Sequence, residues 1–418
     1  MKKKIIKVGV FGVGRGRSFM GVGAKANGFQ LISICDKWEE KLLEVGKNLG
    51  VETYTDFDKF LKSDIDAVVL ANYFHQHAPF AIKALEAGKH VISECTTCFT
   101  MAEGVALARA VEKSGRIYML AENYPYMNFN QEMKRLYDKG EIGEVRHAEC
   151  EYVHPEPPEN WASLSPGFDH WRNWLPSTYY CTHSIAPVMY ITNTRPTMVN
   201  SFVIAYDKDD PGISGNYRIC DSAATLMLRM NNGATMKSLH GWIRGHGIGT
   251  RIHGTRGLME NARHGDRQRL IVSKGYDVKK FEPHEMVYKP DFPVDNHLAK
   301  NAGHGGGDYF TLKAFAEAIR TKKQPFLDVY KGIDMSLCAI QGWRSALEDG
   351  APYPIPDFRY EKIRKKFAND HWSPDVKEKR AKYKAPNSVL GVIKQSPKAI
   401  ALSQKVWAAD GYKEEKKK

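Results

Sequence analysis

Gly12, Gly14 and Gly16 stand at the end of an apolar run, and Asp36 closes the next apolar run 24 positions after Gly12. Glycines let a chain turn tightly and let a pyrophosphate approach bare N–H groups at a helix start. An acid ending the second strand can accept from an adenosine ribose 2′-hydroxyl and repels a 2′-phosphate. The pattern therefore predicts a dinucleotide site for NAD rather than NADP. Arg15 lies inside the glycine turn. Arg17 stands where the usual six-residue spacing expects the third glycine, which here comes one position early. The alternative is a glycine-rich turn in some other α/β protein. The order strand, turn, helix, strand, acid favours the dinucleotide.

A second set of residues suits proton transfer. Tyr180 and His183 are spaced i, i+3, so a helix would present them on one face. Imidazole titrates near neutral pH, and a phenol can pass or hold a proton. Tyr126 follows the fifth apolar run. Glu94 ends the fourth, where ligands bind in open α/β sheets. Trp161, His170, Trp171, Arg172 and Trp174 form an aromatic and basic stretch that could wall a sugar, or could pin a long loop to the body. Each candidate has a structural alternative. His183 could cap a helix, Tyr126 and Tyr180 could be core aromatics, and Glu122 could cap a backbone turn. Cys95 and Cys98 have redox-motif spacing without a second pair nearby, and read as structural or site-lining thiols. His147, His154, His170, His183 and His304 show no metal-binding spacing, so no metal is expected.

These residues must be held by at least two domains, as 418 residues allow. Apolar runs at 5–11, 29–35, 65–71, 89–94 and 117–121 alternate with helical patterns, including 79–87 and 101–114. This predicts a parallel, doubly wound sheet. After a helix at 129–139 the rhythm changes. Runs at 145–153, 198–206, 223–230, 235–242 and 251–254 read as longer strands, with Asn231-Asn232-Gly233 as a hairpin turn. They predict an open, mainly antiparallel sheet in an α+β domain, followed by helices at 308–321 and 333–349. The expected organisation is a nucleotide-binding domain at 1–123, a substrate and oligomerisation domain at 124–360, and a basic extension at 361–418. The extension holds 16 Lys+Arg against 7 Asp+Glu, most of the net charge of +13. Without a nucleic-acid motif, it reads as a solvated or docking tail that wraps the body or a neighbouring subunit, and its apolar stretches at 389–393 and 400–407 need burial. No segment has the length of a membrane span, and seven scattered cysteines suit a reducing cytoplasm.

Taken together, the glycine turn, Asn72 with His77, and Ala84-Leu-Glu-Ala-Gly-Lys-His-Val91 leading to Glu94 resemble the Gfo/Idh/MocA oxidoreductase family over most of residues 5–358. The resemblance implies a Rossmann domain, a sheet domain, NAD(P) meeting a sugar between them, and a homo-oligomer. It implies cofactor contacts from Asn72, His77, Glu94 and Asn123. Two features depart from the family's ordinary dehydrogenases. Their Glu-Lys-Pro is here Glu94-Cys95-Thr96, and the acid four positions before the histidine is Tyr179. Tyr180-Cys-Thr-His183, Glu122-Asn-Tyr-Pro-Tyr126 and His304-Gly-Gly-Gly-Asp308-Tyr309 are similar to segments of the family's NAD-dependent glycoside hydrolases, such as bacterial α-N-acetylgalactosaminidases. That branch implies oxidation at sugar carbon 3, elimination, addition and re-reduction. His183 with Tyr180 would serve the oxidation or activate the leaving-group side, Tyr126 would be the carbon 2 base or its relay, Glu94 would orient the nicotinamide ribose or the sugar, and Trp171, Arg172 and His304 would contact substrate. The alternatives are a sugar or glycoside 3-dehydrogenase, and a non-catalytic NAD-sensing regulator.

Overall fold

A computed structural model describes residues 4–245, 247–276, 278 and 280–413. Six short strands, apolar except for the edge strand β3, form the first sheet: β1 (Ile6–Phe11), β2 (Phe29–Cys35), β3 (Glu52–Tyr54), β4 (Ala67–Leu70), β5 (His90–Ser93) and β6 (Tyr118–Leu120). Their order is β3-β2-β1-β4-β5-β6 and every pairing is parallel. Strands buried on both faces need helices on both sides, which is why β4 reads Ala-Val-Val-Leu without a polar residue. The strand order reverses beside β1, so a crevice opens at the carboxyl ends of β1 and β4.

The second sheet has nine strands. They are β7 (Val145–Val153), β8 (Pro196–Ile204), β9 (Ala223–Met230), β10 (Thr235–Gly241), β11 (Gly247–Gly254), β12 (Leu258–Asn261), β13 (Leu270–Ser273), β14 (Glu285–Tyr288) and β15 (Tyr353–Pro354). They lie in the order β14-β13-β12-β11-β7-β10-β9-β8-β15. The pairing is antiparallel except for β7 with β10, which run parallel. Asn231-Asn232-Gly233 does turn β9 into β10, with Gly233 at φ +84°. Strands β12 to β14 escaped the sequence reading because each is only four residues long. Helices Thr182–Thr192 and Val329–Leu347 cover one face, packing on β7 and β8. The other face alternates outward, leaving Phe202, Ile204 and Met227 exposed.

The extension returns over the body. Asp370 pairs with Arg344, Asn387 donates to the Trp174 carbonyl, and Trp407 donates to the Ala162 carbonyl. Trp407 is buried as its apolar run required. Val389, Leu390 and Val392 are exposed, contrary to the expectation, because Asp221 accepts from Ser388 and Val389 and fixes that turn at the surface.

Candidate active site

The glycine turn fills three distinct physical roles. Gly12 has φ +106°, and a Cβ there would collide with the Ala71 carbonyl. Gly16 sits so close to β1 that a Cβ would come within 2.7 Å of Val10 Cγ1. Gly14 has open space where its Cβ would be, so bare backbone faces the crevice mouth. The third glycine works one position early because the turn continues as a 3₁₀ helix, Arg15–Phe19, which rotates faster per residue than an α-helix. Asp36 Oδ2 accepts from Val13 N–H at 2.8 Å and Oδ1 from Trp38 N–H at 2.9 Å, which holds the carboxylate beside the turn.

Polar atoms without a protein partner mark the same crevice. Both amide atoms of Asn72, after β4, are buried and unpaired, as is Asn123 Oδ1 after β6. Buried polar groups normally find partners. A dinucleotide, rich in donors and acceptors, fits these residues. Arg15 reaches across the crevice, its Nε 2.7 Å from Glu94 Oε1 and a terminal nitrogen 3.5 Å from Asp308 Oδ1. Two residues expected to touch cofactor lie elsewhere. His77 is buried, with Nε2 3.2 Å from the Asn72 carbonyl and Nδ1 3.2 Å from the Thr96 carbonyl; as a neutral imidazole it donates to one of the two and sits between the loops from behind. Burial pushes it down to about 4 and it stays neutral. Arg17 turns outward and donates to the Val13 carbonyl.

Above the strand ends sits the proton-transfer group. Glu122, fully buried after β6, holds His183 Nδ1 at 2.7 and 2.8 Å from its two oxygens. Burial alone would raise the Glu122 carboxyl. The His183 imidazole, with hydrogen bonds from Thr182 and the Tyr124 N–H, overcomes it and holds the group below its ordinary value. An ionised acceptor requires Nδ1–H, so the neutral imidazole carries its lone pair on Nε2. Tyr124 stacks on the imidazole at 4.7 Å, while Tyr152 and Tyr180 meet it edge-on at 4.5 and 5.1 Å. Burial raises Tyr180 to about 12 against the opposing charge of Arg172, so it is a phenol at neutral pH.

Tyr126 is not in this group. It packs on Tyr190 at 5.5 Å, and Tyr124 occupies the place beside His183. The two tyrosines lie two apart in the 3₁₀ turn Tyr124–Tyr126, where three residues complete a turn, so they point different ways. Cys95 Sγ joins Glu122 and His183, with donor atoms of all three within 4.8 Å of one another. Among the described residues, this is the one group of three or more His, Cys, Asp or Glu donor atoms close enough together to hold a metal ion. Burial pushes the Cys95 thiol well up and keeps it protonated.

The aromatic stretch divides. Trp171 stacks on Phe74 at 4.9 Å and lies parallel to Tyr180 at 6.0 Å, with the Arg172 guanidinium 4.3 Å over its ring. These form a flat wall beside His183. Trp161 and Trp174 are core residues. His304 stands at the rim, 2.9 Å from Asp308 Oδ2, while Asp308 Oδ1 accepts from Asn123 at 2.8 Å. Asp308 is thus a buried hub joining Arg15, Asn123 and His304. The sequence reading quoted its motif and passed over its role. It also passed over Tyr124 and Tyr152, since a tyrosine in a turn or a strand carries no local mark of what lies across the fold.

Residues 6–122 match the family model described as oxidoreductase family, NAD-binding Rossmann fold (GFO_IDH_MocA), and residues 170–365 match that of the glycosyl hydrolase 109 C-terminal domain. The chain joins a Gfo/Idh/MocA Rossmann domain to a glycosyl hydrolase 109 C-terminal domain. It is an oxidoreductase-family enzyme whose first domain binds NAD. A glycosyl hydrolase family 109 protein of Bacteroides thetaiotaomicron is 25% identical over 410 residues, covering 85% of each chain. An α-N-acetylgalactosaminidase of Tannerella forsythia is 26% identical, covering 79% of this chain and 81% of that one. In fold the chain is similar to a levoglucosan dehydrogenase solved with NADH and levoglucosan (TM-score 0.73, 21% identity, 85% of this chain and 100% of that one). Among the described residues no helix is long and apolar enough to cross a membrane.

Proposed function

We propose that this enzyme cleaves a glycoside by transient oxidation. The carbon 3 hydroxyl of the sugar becomes a ketone, the carbon 2 hydrogen becomes acidic, the carbon 1 substituent leaves by elimination, water adds, and the ketone is reduced again. NAD supplies the hydride acceptor for the first change and the donor for the last, which makes the cycle redox-neutral. The Glu122–His183 pair carries this reading. In its neutral form His183 has Nε2 free to take the carbon 3 hydroxyl proton as the hydride leaves, and once that proton has passed to water the same nitrogen can take the carbon 2 proton during elimination. Tyr180, kept protonated and held beside Arg172, is a donor for the oxygen leaving carbon 1. Trp171, buried against Phe74 with the Arg172 guanidinium over its ring, backs the wall of the site. Glu94 and Asp308, bridged by Arg15, support the floor of the site. Cys95 in place of a lysine, and Tyr179 packed against Phe99 in place of an acid, favour this chemistry over simple alcohol oxidation. The seven buried free cysteines support a cytoplasmic setting, and the apolar residues on the open sheet face support a homo-oligomer.

The test is turnover of aryl α- and β-glycosides in deuterated water. Deuterium is expected at carbon 2 of the released sugar, with no net NADH absorbance. Accumulation of a keto sugar together with NADH would instead identify a 3-dehydrogenase. Absence of any turnover with bound NAD would leave a sensing protein.

A further inference from the structure

All but the first five residues of the C-terminal extension lie beyond residue 365, where the second family match ends, yet the extension reaches the cofactor domain. The segment 165–174 crosses from one side of the crevice to the other. On the β4 side His170 meets Tyr73 at 5.1 Å and Trp171 stacks on Phe74. On the β2 side Gly167 leaves no room for a side chain beneath the Tyr412 hydroxyl, and the Tyr412 ring meets Trp38 edge-on at 6.4 Å. Trp38 is two residues past Asp36 and donates its N–H to that carboxylate. The extension pins this segment from outside: Trp407 packs on Phe168 at 5.1 Å, and Asn387 holds the Trp174 carbonyl. Lys413 pairs with Glu40 at 2.7 Å on the exposed surface.

We infer that the C-terminal extension is part of the cofactor site. Segment 165–174 roofs the crevice, and the Tyr412–Trp38 contact latches that roof at the end where Asp36 receives the adenosine ribose. The inference rests on the proposed redox-neutral cycle, in which the dinucleotide that removes hydride must remain to return it. A dinucleotide that escaped in mid-cycle would strand a keto sugar. The latch makes NAD a resident group, since release requires the extension to undock. Tyr412 carries most of the effect, because the Lys413 pair is screened by water.

The experiment loads the full-length protein with NADH and follows release by nicotinamide fluorescence after a chase of excess NAD. Tyr412→Ala is expected to speed release about five- to tenfold, the kinetic equivalent of losing one aromatic contact. Lys413→Glu, which sets like charge against Glu40, acts in the same direction with a smaller factor. Melting of the dinucleotide-stripped variants should match that of the stripped parent. Release within twofold of the parent in both variants overturns the latch, whether or not the stripped proteins melt lower. If the parent retains NADH while both variants release it at the parent rate, only the latch fails. If the parent binds no dinucleotide, the redox reading fails with it.

Discussion

At the scale of single residues, the Glu122–His183 pair decides what the site can do. A buried carboxylate is costly unless its charge is compensated, and here the compensation is the Nδ1–H of the group it orients. His183→Ala is expected to lower turnover by roughly 10²–10⁴-fold. It also leaves Glu122 without its partner, at a cost of about 3 kcal/mol in stability. Glu122→Gln is the cleaner substitution, since the amide oxygen still accepts from Nδ1–H. A loss of roughly 10²-fold is expected there, with the melting temperature and bound NAD retained. Tyr126→Phe should leave turnover within about twofold, because that ring faces Tyr190. Steady-state rates on one aryl glycoside, with circular dichroism melts, check all three. Tyr180 and His183 do meet, at 5.1 Å, but not on one helix face as their i, i+3 spacing predicts: Tyr180 ends the 3₁₀ turn Ser177–Tyr180 and His183 lies in the next helix, Thr182–Thr192. Glu122 had no such local mark, because its partner is 61 positions away.

At the scale of elements, the glycine turn separates folding from binding. Gly12→Ala forces a side chain into the Ala71 carbonyl at a positive φ, and should destabilise the first domain by several kcal/mol. Gly14→Ala has room and an ordinary φ, so the fold should survive while NAD binding weakens at least tenfold, as the new methyl meets the pyrophosphate. Calorimetry of binding and a thermal melt, run on both variants, distinguish the two roles. The early third glycine looked like a flaw in the motif. The 3₁₀ geometry of Arg15–Phe19 accounts for it. The same geometry separates Tyr124 from Tyr126, which a motif read as a linear string could not resolve.

At the scale of the whole molecule, buried histidines set an acid limit. Burial pushes His77 and His240 down to about 4, from an ordinary 6.5 in the unfolded chain. Between those values the unfolded chain binds protons that the folded chain refuses, so stability falls as pH drops from 6.5 towards 4. Each group contributes up to roughly 3 kcal/mol. Glu103, pushed up to about 7 by burial, works in the opposite sense and offsets part of the loss. Urea melts at pH 7, 5.5 and 4.5 should show midpoints falling in that order. His240 and His77 are far from solvent for structural reasons: one holds the Ser177 carbonyl beneath the site, the other lies between the carbonyls of the loops after β4 and β5 and donates to one of them.

The nucleotide domain was legible from the chain because its signals are local. Apolar runs, glycines and an acid at the next strand end all act within a few residues of one another, and strand periodicity carries the parallel sheet. What surrounds His183 was decided by tertiary structure alone. Cys95, Glu122 with Tyr124, Tyr152, and Tyr180 come from four places in the sequence and share a site only because two sheets meet. The same holds for the reach of the tail to Trp38, since charge composition marks a segment as basic and says nothing of the surface it lies on.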